Sequence, residues 1–159
     1  MSERQRILDL IDRAYRAKAW HGPAMLEVLD RVSAGLAARR VKRGVHSIWE
    51  LVEHVASWNE IVAERLAGGT PKVTPAYNFP PVTRTTPAAW QATRQRLARS
   101  QAKLRRAVAR FPIAKLGRRR PKVDSTWSVL IHGAIQHQLY HAGQIALLRR
   151  ALGRPVPSS

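Results

Sequence analysis

The sequence predicts an all-α fold built around four principal helices. Three observations carry this: apolar residues recur at three- and four-residue spacing over long stretches, no stretch alternates apolar and polar as a half-buried strand would, and no Asn-Gly hairpin signal interrupts them. With 159 residues the chain has the usual size of one domain and can bury a core without staples, so residues 1–159 are read as a single domain.

The first helix is expected over residues 3 to about 19, where Ile7, Leu10, Ile11, Ala14 and Tyr15 fall on helical spacing between Arg and Asp. Trp20-His21-Gly22-Pro23 then breaks the register, because Gly frees the backbone and Pro belongs at a first helical position. A second set of helical turns runs from Met25 to about Val32, residues 33–38 add a short turn, and the basic stretch 39–44 reads as a loop.

The second principal helix opens on a capping box: Ser47 accepts from a free backbone N–H while Glu50 reaches back to the cap. Ile48, Leu51, Val52, Val55, Trp58 and Val62 form its apolar face, and Gly68-Gly69 stops it. Residues 70–86 hold four prolines and few periodic apolar positions, so they form a long irregular connection. Loops of this length in compact domains are functional or mobile, and this one can cross one end of the bundle over the mouth of a site.

Thr86-Pro87 caps the third helix, which runs to about residue 110 on the anchors Trp90, Leu97, Leu104 and Val108 and ends at Pro112. Residues 117–124 are a charged loop. Ser125 or Thr126 caps the last helix, and Gly153 with Pro155 ends it.

This last helix carries the chemistry. Leu130, Ala134, His137, His141, Gln144 and Leu148 step by four, three, four, three and four, the spacing of a packed seam, so two histidines and a glutamine are expected to point inward. Residues four apart sit one above the other, which lets His137 and His141 grip one ion. The best third donor is His54, on the inner stripe formed by Leu51, His54, Trp58 and Ile61. Three neutral imidazoles suit one divalent metal and leave positions open for water or substrate. Left unpaired, each would cost on the order of 1–3 kcal/mol to bury.

The residues His137-Gln-Leu-Tyr-His141-Ala-Gly-Gln144-Ile, together with the upstream His54 helix and its Trp58, resemble the DinB-like (DNA-damage-inducible) metal-binding bundles. Ala19-Trp-His-Gly-Pro23 and His46-Ser-Ile-Trp-Glu-Leu fit one branch of that family, and the likeness spans nearly the whole chain. The resemblance implies a four-helix bundle, metal ligands His54, His137 and His141, and a homodimer. Some members of the family resemble thiol S-transferases or thiol-dependent isomerases, and others metal-dependent hydrolases.

Around these three, other residues compete for a place in the pocket. His21, in the Trp-His-Gly-Pro turn, is a candidate acid/base or substrate contact, against a plain loop role. Gln144 is a candidate partner for a ligand imidazole or bound water, or for a neighbouring helix. Trp58 can wall the pocket or simply fill the core, and Tyr140 can do either. His132 lies about 140° round the helix from His137 and His46 precedes the Ser47 cap, so neither is included.

Zinc or nickel suits such a donor set first, with iron, manganese and copper also admitted. The ion would generate hydroxide from water or hold a thiol as thiolate. With no cysteine in the chain, the thiol would be an external one of low molecular weight. The absence of cysteine also removes disulfides and suits a reducing cytoplasm, and no run approaches the ~18 apolar residues of a membrane span. No obvious general base emerges: Glu50 is claimed by the cap, while Glu53, Glu60 and Glu64 read as surface-facing.

The net charge of +18 and pI of about 11.8 raise a rival reading, a basic nucleic-acid-associated protein. The charges cluster at Arg39-Arg40-Val-Lys-Arg43, Arg105-Arg106 and Arg118-Arg-Arg120, but no nucleic-acid module accompanies them. Weak nonspecific binding to polyanions is expected under either reading. A non-catalytic structural bundle is the third alternative.

Overall fold

The structure is a computed structural model and describes residues 1–16 and 18–156. Its helices are α1 (Glu3–Tyr15), α2 (Met25–Val28), α3 (Ala34–Ala38), α4 (Ile48–Leu66), α5 (Pro75–Asn78), α6 (Pro87–Arg110) and α7 (Trp127–Ala151). There is no strand among the described residues, only one isolated bridge between Arg119 and Thr126.

The long helices start where the sequence places caps. Ser47 accepts from the Glu50 amide while Glu50 accepts from the Ser47 amide, closing the box at α4. Thr86 caps α6 and Thr126 caps α7, each through its hydroxyl. At the other end, α4 stops before Gly68, whose φ of 92° no helix admits.

Packing makes the four long helices a bundle. α4 lies against α6 and α7, and α1 lies against the same two, which puts α1 opposite α4. Burial is divided into two apolar clusters. One gathers α2, α3, the first half of α4, Trp90 and Leu97 of α6, and Ala142 and Ile145 of α7. The other gathers α1, Val62, the second half of α6 with Phe111, and Ile131 and Ile135 of α7.

Between them runs a polar belt. Asn59 donates to Gln101 Oε1 at 3.2 Å, and Gln101 donates to the Ile11 carbonyl at 3.2 Å, tying α4, α6 and α1 together in the dry interior. These groups satisfy one another, which is what makes buried amides tolerable.

Four expectations need correction. α1 ends at Tyr15, not near residue 19: Arg16 is its C-cap and Lys18 is left-handed at φ 62°, although Arg and Lys are good helix formers. Ala17 lies outside the described residues. The connection over residues 70–86 is not wholly irregular, since Thr74 caps the single turn of α5.

The buried residues of α7 are Ile131, Ile135, Gln138, His141, Ala142, Ile145 and Arg149, so His141 is inward as expected while the rest of the buried line runs one residue along from the expected seam. Both lines begin with two apolar residues and mix polar ones in beyond them, so spacing alone leaves the rotation of this helix open. Packing decides it in favour of the β-branched isoleucines. Finally, Glu53 and Glu60 are half-buried between α4 and α6, where Arg96 pairs with both.

Candidate metal centre

His54 reaches the site from the middle of α4, and His137 and His141 from successive turns of α7, which packs beside it. The rotation of α7 places these two on the flank of its buried line. His141 is buried and His137 half-buried, so the group sits at the wall of the bundle beside a cavity.

The three imidazoles converge through one atom type. His137 Nε2 lies 3.0 Å from His54 Nε2 and 3.0 Å from His141 Nε2, and one nitrogen from each ring lies within 4.8 Å of the others. The outer nitrogens set the tautomers. His54 Nδ1–H donates to the Asn78 carbonyl at 2.6 Å, and His141 Nδ1–H donates to Gln144 Oε1 at 2.7 Å. A neutral ring has one hydrogen, so in both residues the Nε2 lone pair faces His137.

That arrangement is unbalanced without a cation. His137 can donate at most one hydrogen from Nε2, which leaves at least one of the two facing lone pairs without a hydrogen at hydrogen-bond distance. A shared ion removes the conflict. Metal–imidazole bonds of about 2.0–2.1 Å at a tetrahedral angle put neighbouring nitrogens roughly 3.4 Å apart, near the two separations of 3.0 Å at His137. Burial keeps the rings neutral and ready as donors. Burial first, then His141 and His54, lowers His137 from 6.5 to about 3. Burial lowers His141 to about 4 against the Gln144 bond, and His54 is also lowered by burial.

The Pro-rich connection supplies the outer support, as a loop crossing the site would. Besides the Asn78 carbonyl, Asn78 Oδ1 accepts from the Trp58 indole at 2.9 Å, and Phe79 stacks on His54 at 4.0 Å. Phe79 also stacks on His46 at 4.1 Å, so His46 touches the site's support without joining its ligands.

The other expected residues divide. Trp58 is only half-buried and walls the cavity, its ring 5.8 Å from that of His137. Gln144 bonds the His141 imidazole. Tyr140 is 64% exposed and touches His141 edge-on from outside. His21 is exposed in its turn and does not line the cavity.

Asn78, Phe79 and Arg120 were missed by the sequence reading. The unusual length of the connection was the only signal for the first two, and Arg120 was hidden in a basic run. The cavity, about 400 Å³, is bounded by His54, His137, Trp58, Val62, Leu130 and Arg120 among others.

Fold and site thus define a helical bundle carrying an inward three-histidine cluster of the kind that can hold a metal ion. The family model of the DinB superfamily matches residues 19–145, and the chain belongs to that superfamily. No curated protein and no solved structure shows a significant match.

Proposed function

We propose that the protein binds one divalent metal through His54, His137 and His141 and uses it for thiol S-transfer or hydrolysis on a small molecule. The observation that carries this reading is the pair of Nε2 lone pairs directed at a third imidazole nitrogen, an arrangement a cation completes. Zinc or nickel fits first, with iron, manganese or copper as further candidates.

A divalent cation held there supplies Lewis acidity, which promotes loss of a proton from water or a thiol near neutral pH. The chain's residues do the rest. Asn78 and Gln144 fix the tautomers and aim of two imidazoles, as outer partners of metal-binding histidines do. Trp58, Val62 and Leu130 present hydrocarbon to the reacting molecule and keep water away.

Among the described residues the cavity walls include no carboxylate to serve as a base, which favours thiol transfer over hydrolysis. The thiol would be an external one of low molecular weight, since the chain has no cysteine. We place this activity in the cytoplasm and in a homodimer. Sedimentation equilibrium is expected to give twice the 17.9 kDa chain mass, and a monomer at working concentrations would remove the dimer from the reading.

The deciding experiment is elemental analysis of the purified protein. One equivalent of a divalent metal is expected in the wild type, and little in His137→Ala and His141→Ala. Equal content in all three proteins overturns the proposal.

A further inference from the structure

Arg120 lines the same cavity as His54 and His137, and it brings a positive charge to that wall. Its Nη1 donates to Ser125 Oγ at 3.1 Å, and its guanidinium lies 5.8 Å from the centre of the Trp127 ring. Both contacts orient the group without cancelling its charge. Arg65 stands nearby, 5.7 Å from the ring of the cavity residue Trp58. Among the described residues neither arginine has a carboxylate within ion-pair distance, whereas Arg96 has two and Arg105 one. Burial and then the charge of Arg65 push the Arg120 guanidinium below its ordinary range, so the two cations feel each other.

A half-buried guanidinium next to a second cation gains from an oxyanion, and its planar fork fits a carboxylate through two parallel hydrogen bonds. Trp58, Val62 and Leu130, on the walls of the same cavity, suit an apolar body. The volume of about 400 Å³ is that of a small-molecule site, too small for a polymer.

We infer that the cavity beside the three imidazoles takes a small organic carboxylate with an apolar body, and that Arg120, assisted by Arg65, is the residue that selects for its charge. This names the substrate class of the site proposed above and rests on that reading for the reaction, though not for the binding.

The test is calorimetric titration of the full chain with 4-phenylbutyrate and its neutral counterpart 4-phenylbutan-1-ol, before and after removal of metal by a chelator. The wild type is expected to bind the carboxylate about tenfold more tightly than the alcohol, the effect of one charged hydrogen-bonding partner. Arg120→Gln should bring the two ligands level, Arg120→Lys should keep part of the preference, and metal content should stay at the wild-type value in both. The preference should persist in metal-free protein.

A preference that survives Arg120→Gln overturns the inference. So does one that disappears with the metal while Arg120 is intact, since the carboxylate then binds the ion. Failure of the wild type to bind 4-phenylbutyrate also overturns it. A wild type that never holds metal but still prefers the carboxylate removes the metal-site reading and leaves this one standing.

Discussion

The backbone carbonyl of Asn78 lies 2.6 Å from Nδ1 of His54. A residue of the Pro-rich connection therefore decides which nitrogen of a residue on α4 carries hydrogen. Because a carbonyl only accepts, Nδ1 must donate, and Nε2 is left as a lone pair turned toward α7. Gln144 does the same for His141 from within α7.

Removing that second support is the mildest perturbation of the site. Gln144→Leu should weaken metal affinity by about 10- to 100-fold, the usual effect of losing an outer partner. Competition with a chromophoric chelator measures it, and unchanged affinity would show that His141 needs no such support. Circular dichroism should show the same helix content as the wild type.

Acid should destabilise the metal-free protein. His137 titrates at about 3 and His141 at about 4 when folded, against 6.5 for a free imidazole, so the unfolded chain binds protons first as pH falls. The stability of the neutral cluster is present above pH 6.5 and is lost from there down toward these values. Urea midpoints at pH 7.5 and 5 should fall on acidification, and fall less in His137→Ala. A midpoint that rises at pH 5 contradicts the assignment.

Arg149 is 3% exposed and surrounded by carbonyls: its Nη1 donates to Val28 and Asp30 at 2.8 Å, its Nε to Arg154 and its Nη2 to Pro155. It fastens the end of α7 to the last residue of α2 and the turn that follows. Arg149→Met keeps much of the bulk but leaves buried acceptors unpaired, and should cost about 3 kcal/mol in chemical denaturation. A loss below roughly 0.5 kcal/mol would place the group in solvent.

Arg99, Lys103, Arg106 and Arg110 follow one another at steps of four, three and four on α6, and all four are exposed. Such a stripe should bind duplex DNA weakly and without sequence preference, with affinity falling steeply between 50 and 200 mM salt. Reversing two of these charges, Lys103→Glu with Arg106→Glu, should abolish the binding in a fluorescence anisotropy titration, while His137→Ala should leave it unchanged. Loss of binding in the histidine variant would connect the basic face to the site.

Local chemistry was legible because it is written in neighbouring residues. The Ser47–Glu50 box, the Thr86-Pro87 start, the Gly68 stop and the i, i+4 pairing of His137 with His141 all follow from contacts within a turn or two. The helical spacing around His54 was legible for the same reason, and with the residues resembling the family it named the third donor.

What the sequence by itself determined is the inventory: an all-helical chain, where its helices begin, and which imidazoles share a face. Only the tertiary structure decided the rotation of α7, because two neighbouring lines of that helix both mix apolar and polar residues and packing against α1 and α4 chooses between them. It also decided that Asn78, Phe79 and Arg120 belong to the site and that Arg149 is buried. The bond from Asn78 to His54 spans 24 positions and that from Arg149 to Val28 spans 121, and no periodicity along a chain records which distant segments will meet when the apolar faces close.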